Sequence, residues 1–440
     1  MDYQEEIVAA RNDPRALELC YRRAVQAGEQ DAFRQAVEAL FMQEQDNLLL
    51  AAWHYRLDAA DEGQGDERRS LQHWGAALLF SILSGLVFWA LSDENLLLHG
   101  VMPYLALFWA PLAAGFVGGF LKVIDRQQMR RTLWGGAALL GLCVLVVLLS
   151  GGLPSREGRE GYLTLMVFHL PLMAWAATGI GVLGLGSPPR RRFAFLSKSV
   201  EAVVAAGLYV IFGGVLAAIT FGLFETLGVD IPEVVFRLIF AGGAGMVAVM
   251  SVATIYDPGR LPEAQQFGRG LSGFLATLLR LMLALALVVL IVFLLFVPFR
   301  FFEPFQQRDV LIVYNVLLFA QVGLLIGVTP VHPENLSPVL RLWLRRGVLA
   351  LALLGVVIGL YALSAVVYRT FDGGLTRNRL TVIGWNLINI VILLRFLLAQ
   401  WRNSASDWVS ALQAAFSWGT NLYLGWGTSL VVFVPLLFPD

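Results

Sequence analysis

The sequence predicts an all-α fold: a polytopic transmembrane helical bundle of about eleven spans, preceded by a small cytoplasmic helical module at the N-terminus. Two observations predict this class. Of the 440 residues, 58% are hydrophobic and only 15% are charged, whereas about a quarter of the residues in soluble domains are charged. The mean hydropathy is +0.68, which is typical of a chain with many membrane spans. The composition therefore excludes an ordinary soluble enzyme and a secreted disulfide scaffold.

The charge balance, the cysteines and the absence of known motifs argue against nucleic acid, a disulfide, a metal or a cofactor. The 32 basic and 32 acidic residues balance, so no net field attracts nucleic acid, and we expect no such partner. Cys20 and Cys143 lie in a polar and an apolar segment, and neither belongs to a CxxC pair. We therefore expect no disulfide and no metal site. The sequence contains no P-loop, dinucleotide or HExxH motif, so we also expect no cofactor.

Residues 1–60 predict a cytoplasmic module of amphipathic helices. Asp13 provides an N-cap and Pro14 a first helical position, and further helices with apolar residues at helical spacing begin near residues 31 and 47. The first 73 residues lack an apolar h-region, so we expect no signal peptide. Residues 61–73, which include DEGQGDERR, predict a charged linker. Because so short a module buries little core, we expect it to bind the membrane domain or a cytosolic protein.

Residues 74–440 form the predicted transmembrane domain. A hydrocarbon core of about 30 Å takes roughly 20 apolar residues of helix. The segments of suitable length and composition are about 74–91, 100–121, 133–150, 162–186, 200–224, 234–255, 273–297, 309–328, 347–368, 380–399 and 420–437. Before the last span, Trp408 and Leu412 lie on one helical face and Gln413 on the other. This pattern predicts a helix over 407–418 that lies in the membrane interface.

The basic residues of the loops predict the orientation. Loops on the side of the N-terminus hold sixteen Lys or Arg residues, and loops on the opposite side hold seven. The positive-inside rule then predicts a cytoplasmic N-terminus and an external C-terminus. The loop 369–379 is an exception, because it is predicted outside and yet holds Arg369, Arg377 and Arg379. Either a span is miscounted, or these arginines have a function there.

The exceptional loop also carries a family signature. Tyr368–Leu387 reads YRTFDGGLTRNRLTVIGWNL, in which the core G-L-T-x-N-R directly precedes a predicted span. This segment resembles the signature of a bacterial multi-pass membrane family, domain of unknown function 4153. The resemblance implies a polytopic protein of the bacterial inner membrane. It implies no activity, because none is assigned to that family.

The residue types of this loop predict an anion site. Gly373 and Gly374 permit a sharp turn, and Thr376 can cap the helix that follows. Arg377 and Arg379 then lie near the N-terminus of that helix, where cations are unfavourable. An anion would be stabilised there by the guanidinium groups and by the free backbone N–H groups.

Polar side chains within the predicted spans are further candidates, since such residues are costly in a membrane. They are His169, Asn315, Gln321, Asn386 and Asn389. Their positions along the spans put most of them in the outer half of the membrane or near its mid-plane. They predict a polar vestibule that is open to the outside. The alternative interpretation is hydrogen bonding between packed helices.

Three functional interpretations stay open. The first is transport or handling of an anionic solute or lipid headgroup, held by Arg377 and Arg379. The second is a membrane-anchored assembly or signalling protein that recruits a partner through residues 1–60. The third is an enzyme on a lipid-linked substrate, with Asp93, Glu94 or His169 as acid or base. We favour the first, with membrane lipids as partners, and expect binding rather than catalysis.

Overall fold

The computed structural model describes residues 3–27, 29–44, 46–124, 129–402 and 408–439. The fold is all-α, as predicted, with one two-residue β-hairpin between β1 (Leu97–Leu98) and β2 (Met102–Pro103). The helices are α1 (Tyr3–Ala10), α2 (Pro14–Ala27), α3 (Gln30–Gln43), α4 (Leu48–Leu91), α5 (Tyr104–Ile124), α6 (Met129–Gly151), α7 (Arg156–Leu183), α8 (Pro189–Thr226), α9 (Glu233–Arg237), α10 (Gly243–Ile255), α11 (Gly270–Phe296), α12 (Glu303–Gln306), α13 (Arg308–Val328), α14 (Pro338–Gly373), α15 (Arg377–Arg402) and α16 (Trp408–Leu437). A π-helical turn over Leu238–Gly242 joins α9 to α10, and 3₁₀ turns form at Pro262–Ala264, Val297–Arg300 and Pro333–Asn335.

The chain divides into two compact units, Met1–Gly75 and Ala76–Asp440. The first unit has its own hydrophobic core, built from α1, α2, α3 and the beginning of α4. Its large buried side chains include Tyr3, Ile7, Leu17, Phe33 and Leu50. Asp13 caps α2 as predicted, because its Oδ1 accepts the backbone N–H of Arg15 at 2.9 Å. This unit thus buries a core of its own at the apolar positions that the helical spacing predicted.

The predicted linker over 61–73 is helical instead. It lies within α4, a single helix of 44 residues. The segment contains no proline, and its Glu, Gln, Arg and Leu residues are good helix formers. Its two glycines, Gly63 and Gly65, cost only about 1 kcal/mol each in a helix. Charge and glycine content alone therefore did not distinguish a linker from a polar stretch of helix.

Within the described ranges, eleven helices are long and apolar enough to cross a membrane. Each of them overlaps one predicted span, so the predicted number is confirmed. Large apolar side chains stay exposed along these helices; on α11, for example, Leu281, Val288 and Leu295 are exposed by 63%, 59% and 66%. Soluble monomers rarely expose apolar surface on this scale. The chain is therefore a multi-pass membrane protein.

The predicted interfacial helix is not a separate element. Asp407 lies outside the described residues, and from Trp408 the helix α16 continues without a break to Leu437. Its apolar face, with Trp408, Leu412 and Phe416, is buried in the largest core cluster. Its polar face contacts neighbouring backbone: Gln413 donates to the carbonyl of Pro330 at 3.3 Å, and Ser417 donates to that of Pro189 at 2.7 Å. The amphipathic pattern reflects these contacts rather than a membrane surface.

Candidate functional site: a cavity along α7 with arginines at one end

A cavity of about 1840 Å³ runs along α7, between α5, α8 and α10 on one side and α13, α15 and α16 on the other. Most of its wall is apolar, including Trp109, Val117, Phe168, Leu196, Val252, Ile312, Phe319 and Phe416. Several wall residues are also exposed: Phe168 on α7 by 74%, Val203 on α8 by 71% and Val316 on α13 by 63%. Because these helices are membrane spans, the cavity opens sideways, toward the hydrocarbon region.

Three arginines line one end of the cavity: Arg369 at the end of α14, and Arg377 and Arg379 in the first turn of α15. The Nη1 of Arg377 donates to the carbonyl of Gly158 at 3.1 Å, and that of Arg379 donates to the carbonyl of Gly374 at 2.5 Å. Nη1 of Arg369 is buried and meets no hydrogen-bond acceptor in the described part of the chain. Since each guanidinium has five N–H donors, most of their capacity stays available.

No described carboxylate forms an ion pair with these three arginines. Glu157 and Glu160 also line this end of the cavity, and both are exposed. The end of the cavity therefore holds three cationic groups against two solvated carboxylates. This excess of positive charge, together with free N–H donors, is suited to an anion.

The local sequence explains how the loop places its arginines. Gly374 adopts φ +76°, a left-handed conformation that glycine accepts without steric cost. The Oγ1 of Thr376 accepts the backbone N–H of Arg379 at 3.3 Å, so Thr376 caps α15 as predicted. A Cβ atom at Gly161 would lie 2.5 Å from the Arg377 guanidinium. The missing side chain of Gly161 thus leaves room for Arg377 to lie against α7.

His169 lines the middle of the cavity and is 3% exposed. Its Nδ1 lies 2.7 Å from the carbonyl oxygen of Leu165, and its Nε2 accepts the indole N–H of Trp385 at 3.2 Å. Trp385 also packs against Tyr423, whose hydroxyl donates to Asn389. Both ring nitrogens of His169 are thus used within the protein. The residue orders α7 and α15 relative to each other rather than presenting a free base to the cavity.

The remaining predicted residues divide between the cavity wall and helix interfaces. Asn315 lines the cavity, although its Nδ2 donates to the carbonyl of Leu311 on its own helix at 2.7 Å. Gln321, Asn386 and Asn389 are buried by 97% or more and do not form part of the wall. Gln321 instead faces Gly355 on α14, where a Cβ would lie 2.8 Å from its Oε1. Their position corresponds to the alternative interpretation, in which amides lie between packed helices.

A buried charge cluster at the other end of the cavity was not predicted. Lys198 is 3% exposed and lines the cavity; its Nζ donates to Oε2 of Glu201 at 2.8 Å and to Oγ of Ser272 at 3.0 Å. Lys198 lies between the predicted spans 162–186 and 200–224, in a segment expected to be a loop, but α8 already begins at Pro189. The available signal was a Lys and a Glu at i and i+3 next to a span in a chain with only two lysines.

The loops at this end are joined by a second set of ion pairs. Arg191 at the start of α8 donates to both carboxylate oxygens of Glu263, at distances of 2.7 to 3.0 Å. Partial burial favours the protonated form of Glu263, but the Arg191 hydrogen bonds, a backbone hydrogen bond and the charges of Arg191 and Arg190 together outweigh this effect, so its pKa lies below the ordinary value. His332 bonds the backbone carbonyl of Glu263 at 2.9 Å. These contacts hold the loops after α10 and α13 against the start of α8.

The residues of the enzyme interpretation do not converge. Asp93 accepts the backbone N–H of Asn95 at 2.9 Å and pairs with Arg237 at 3.4 Å. The backbone and side-chain N–H groups of Asn95 hold the pKa of Asp93 below its ordinary value. Neither Asp93 nor Glu94 lines the cavity that contains His169. Within the described ranges, no three His, Cys, Asp or Glu residues cluster as metal ligands would.

Comparison of this chain with protein-family models, with curated proteins and with solved structures finds no match in any of the three. The function of this protein is therefore inferred from the geometry of its cavity.

Proposed function

We propose that this protein is a bacterial inner-membrane protein that binds and moves an anionic lipid through the cavity along α7. In this proposal the N-terminus is cytoplasmic, the C-terminus is external, and the chain belongs to the family of domain of unknown function 4153. The observation that carries the proposal is a single cavity with an apolar wall, a sideways opening and three arginines at one end.

The apolar wall and the sideways opening favour a lipid over a water-soluble anion. Phe168, Val203 and Val316 line the cavity and are exposed where the spans face hydrocarbon. An acyl chain can enter there without crossing water, and its burial against apolar side chains stabilises the complex by about 0.8 kcal/mol per CH₂. A small hydrophilic anion would gain nothing from this wall.

The arginine end provides the headgroup site. Arg377 touches α7 at Gly158, and Trp175 touches α8 at Ser199 next to Lys198. At 1.5 Å rise per residue, Gly158 and Trp175 lie about 25 Å apart along α7. This length approaches the hydrocarbon thickness of about 30 Å. A phosphate at the arginines would therefore leave its acyl chains lying along the cavity, across most of the membrane.

Native mass spectrometry of the detergent-purified protein tests this function. The protein is incubated with phosphatidylglycerol and, separately, with zwitterionic phosphatidylcholine of the same chain length. We expect retention of phosphatidylglycerol by the wild type and a loss of about tenfold or more in the Arg377→Ala/Arg379→Ala variant, because charge-assisted bonds to phosphate are lost. The matched control is Arg156→Ala/Arg300→Ala, which removes two arginines that do not line the cavity.

Equal retention of both lipids, or equal binding by the two double variants, would contradict a headgroup site at the arginines. Binding of inorganic phosphate without any preference for the lipid would instead identify a soluble anion as the ligand. A cytosolic protein that co-purifies while no lipid binds would favour the assembly interpretation through residues 1–60.

Cysteine labelling tests the proposed orientation. A variant without native cysteines (Cys20→Ser/Cys143→Ser) receives either Asp372→Cys, at the exposed end of α14, or Asp257→Cys, in the loop after α10. A membrane-impermeant maleimide applied to intact cells should label the first and spare the second. Labelling of Asp257→Cys alone would invert the topology and place the arginine end in the cytoplasm.

A further inference from the structure

The second end of the cavity holds a compact set of buried polar groups. The Nζ of Lys198 donates to Glu201, to Ser272 and to the backbone carbonyl of Gln266, so all three ammonium protons are used. Ser272 in turn donates to the same oxygen of Glu201 at 2.7 Å. The ammonium lies 4.5 Å from the ring centre of Phe267. The cluster joins α8, α11 and the loop between α10 and α11.

Lys198 and Glu201 differ in their relation to the cavity. Both are buried, at 3% and 5% exposure, but only Lys198 forms part of the cavity wall. An anion that reaches this end therefore approaches the ammonium first. It meets a cation whose charge is already balanced by Glu201, and it can bind strongly only where that balance is removed.

We propose that Lys198 is a second anion-binding site and that Glu201 couples it to protons. When the Glu201 carboxylate takes one proton from solvent, it becomes a neutral acid and its pairing with Lys198 weakens. The ammonium stays protonated and binds the anion in its place. The cluster thus exchanges an internal carboxylate for an external anion, and each bound anion is accompanied by one proton. The movement of a lipid anion between the two ends rests on the proposed function; the second site itself does not.

Charge balance is the physical reason for this coupling. A buried ammonium without a counter-charge is strongly destabilising, so Lys198 requires one negative partner in either state. Two negative groups beside it would leave one uncompensated. The protonated Glu201 with a bound anion, and the ionised Glu201 without one, both keep a single negative charge beside Lys198. The two other combinations, ionised Glu201 with a bound anion and protonated Glu201 without one, are disfavoured. This is the condition for coupled binding of the anion and the proton.

Other titratable groups on the elements around the cluster are engaged elsewhere or lie apart from it. Arg191 pairs with Glu263. Arg269 precedes α11, Arg280 lies two turns beyond Ser272, and neither forms an ion pair with Glu201 among the described residues. Tyr256 and Tyr423 line the same cavity. Glu201 is therefore the carboxyl group with direct hydrogen bonds to Lys198.

Proton uptake on binding of an alkyl sulfonate tests the coupling, because the sulfonate keeps its charge at every pH used. Decyl sulfonate is added to the full-length protein in detergent, and binding is measured by calorimetry in two buffers of different ionisation enthalpy. We expect the wild type to take up about one proton per anion bound at this site, so that affinity rises about tenfold per pH unit on acidification. Glu201→Gln should bind the anion with no pH dependence and no proton uptake.

Two further variants keep the test decisive. Glu201→Gln leaves Lys198 uncompensated, which can unfold the protein, so Lys198→Met/Glu201→Gln replaces the pair by neutral groups of similar size. This double variant should fold, and it should lose both the site and the proton uptake. Arg377→Ala/Arg379→Ala should keep the proton uptake, since it removes only the arginines at the other end of the cavity.

Absence of proton uptake in the wild type, or its persistence in the Lys198→Met/Glu201→Gln variant, would overturn the coupling. Lipid binding that does not depend on Arg377 and Arg379 would overturn the proposed function and leave the coupling at Lys198 standing.

Discussion

Trp385 fixes the tautomer of His169. The indole N–H donates to Nε2 at 3.2 Å, while Nδ1 lies 2.7 Å from the carbonyl oxygen of Leu165. An indole can only donate and a carbonyl can only accept, so the imidazole proton resides on Nδ1. The rings are also stacked, with centroids 5.8 Å apart. The pair joins α7 to α15 at the middle of the cavity wall.

Trp385→Phe should therefore weaken the contact between α7 and α15 without leaving a large cavity there. The phenyl ring keeps most of the packing, but buried Nε2 of His169 loses its donor, which costs about 1–3 kcal/mol. Thermal unfolding in detergent measures the loss, and Trp401→Phe is the control, because Trp401 is 86% exposed. Nitrogen NMR of the histidines, assigned with His169→Gln, should show the Nδ1–H tautomer in the wild type. A signal from the Nε2–H form would contradict the geometry.

Gly161→Ala should impair lipid binding while leaving the fold intact. The added Cβ would meet the Arg377 guanidinium at 2.5 Å. That group is the end of a flexible side chain, so it moves away and its bond to Gly158 is lost. We expect a several-fold weaker retention of phosphatidylglycerol, with unchanged net charge and unchanged thermal stability.

The control for this variant is Gly136→Ala, since a Cβ at Gly136 meets no atom within 4 Å. Native mass spectrometry of both proteins gives the comparison. Full retention of lipid by Gly161→Ala would indicate that the position of Arg377 against α7 does not matter for binding.

The spans could be predicted from sequence because each must be apolar by itself. A helix in hydrocarbon satisfies its own backbone hydrogen bonds, so its signal is local. The start of α8 at Pro189, before the apolar stretch, has a local signal in the proline at the first helical position. The Lys198 cluster has a weaker signal, because its partners Gln266 and Ser272 are distant in sequence.

The polar residues of the spans show a second limit. Periodicity assigns Asn386 and Asn389 to one helical face, but it does not tell what that face contacts. In the fold the face is buried, and Asn389 accepts the hydroxyl of Tyr423. Arg377 and Arg379 could be proposed as an anion site without this knowledge, because turn, cap and charge lie within one short segment.

Gly384→Ala should destabilise the contact between α15 and α16. A Cβ at Gly384 would lie 2.1 Å from the indole of Trp426, and this rigid, partly buried ring, which packs against a core cluster, cannot move aside as a flexible chain end can. Overpacking of this kind costs about 1–3 kcal/mol. Gly425→Ala is the control on α16, because a Cβ there meets no atom within 4 Å, and alanine is the better helix former. Thermal unfolding of the two variants should therefore shift in opposite directions, and equal stability would contradict the close packing at Gly384.

Glu263 should make stability depend on pH on the acid side. Arg191 donates hydrogen bonds to the carboxylate of Glu263, and the side chains of Glu263 and Arg191 are 27% and 30% exposed, respectively. The pKa of Glu263 in the folded protein lies below the ordinary value. The unfolded chain has a glutamate pKa of about 4.3, so it takes up the proton first as the pH falls. The stabilisation is thus fully present above that value and is lost as the pH falls through the lower pKa of the folded state. For a partly exposed pair we expect about 1 kcal/mol.

Thermal unfolding of the wild type and of Glu263→Gln between pH 7 and pH 3 measures this contribution. The wild type should be the more stable protein at pH 7, and the two curves should converge toward pH 3, because protonated Glu263 resembles glutamine. Glu225→Gln is the control, since Glu225 is exposed and forms no ion pair in the described part of the chain. If the difference between wild type and Glu263→Gln stays constant over this range, the Arg191–Glu263 bond does not stabilise the fold through its charge.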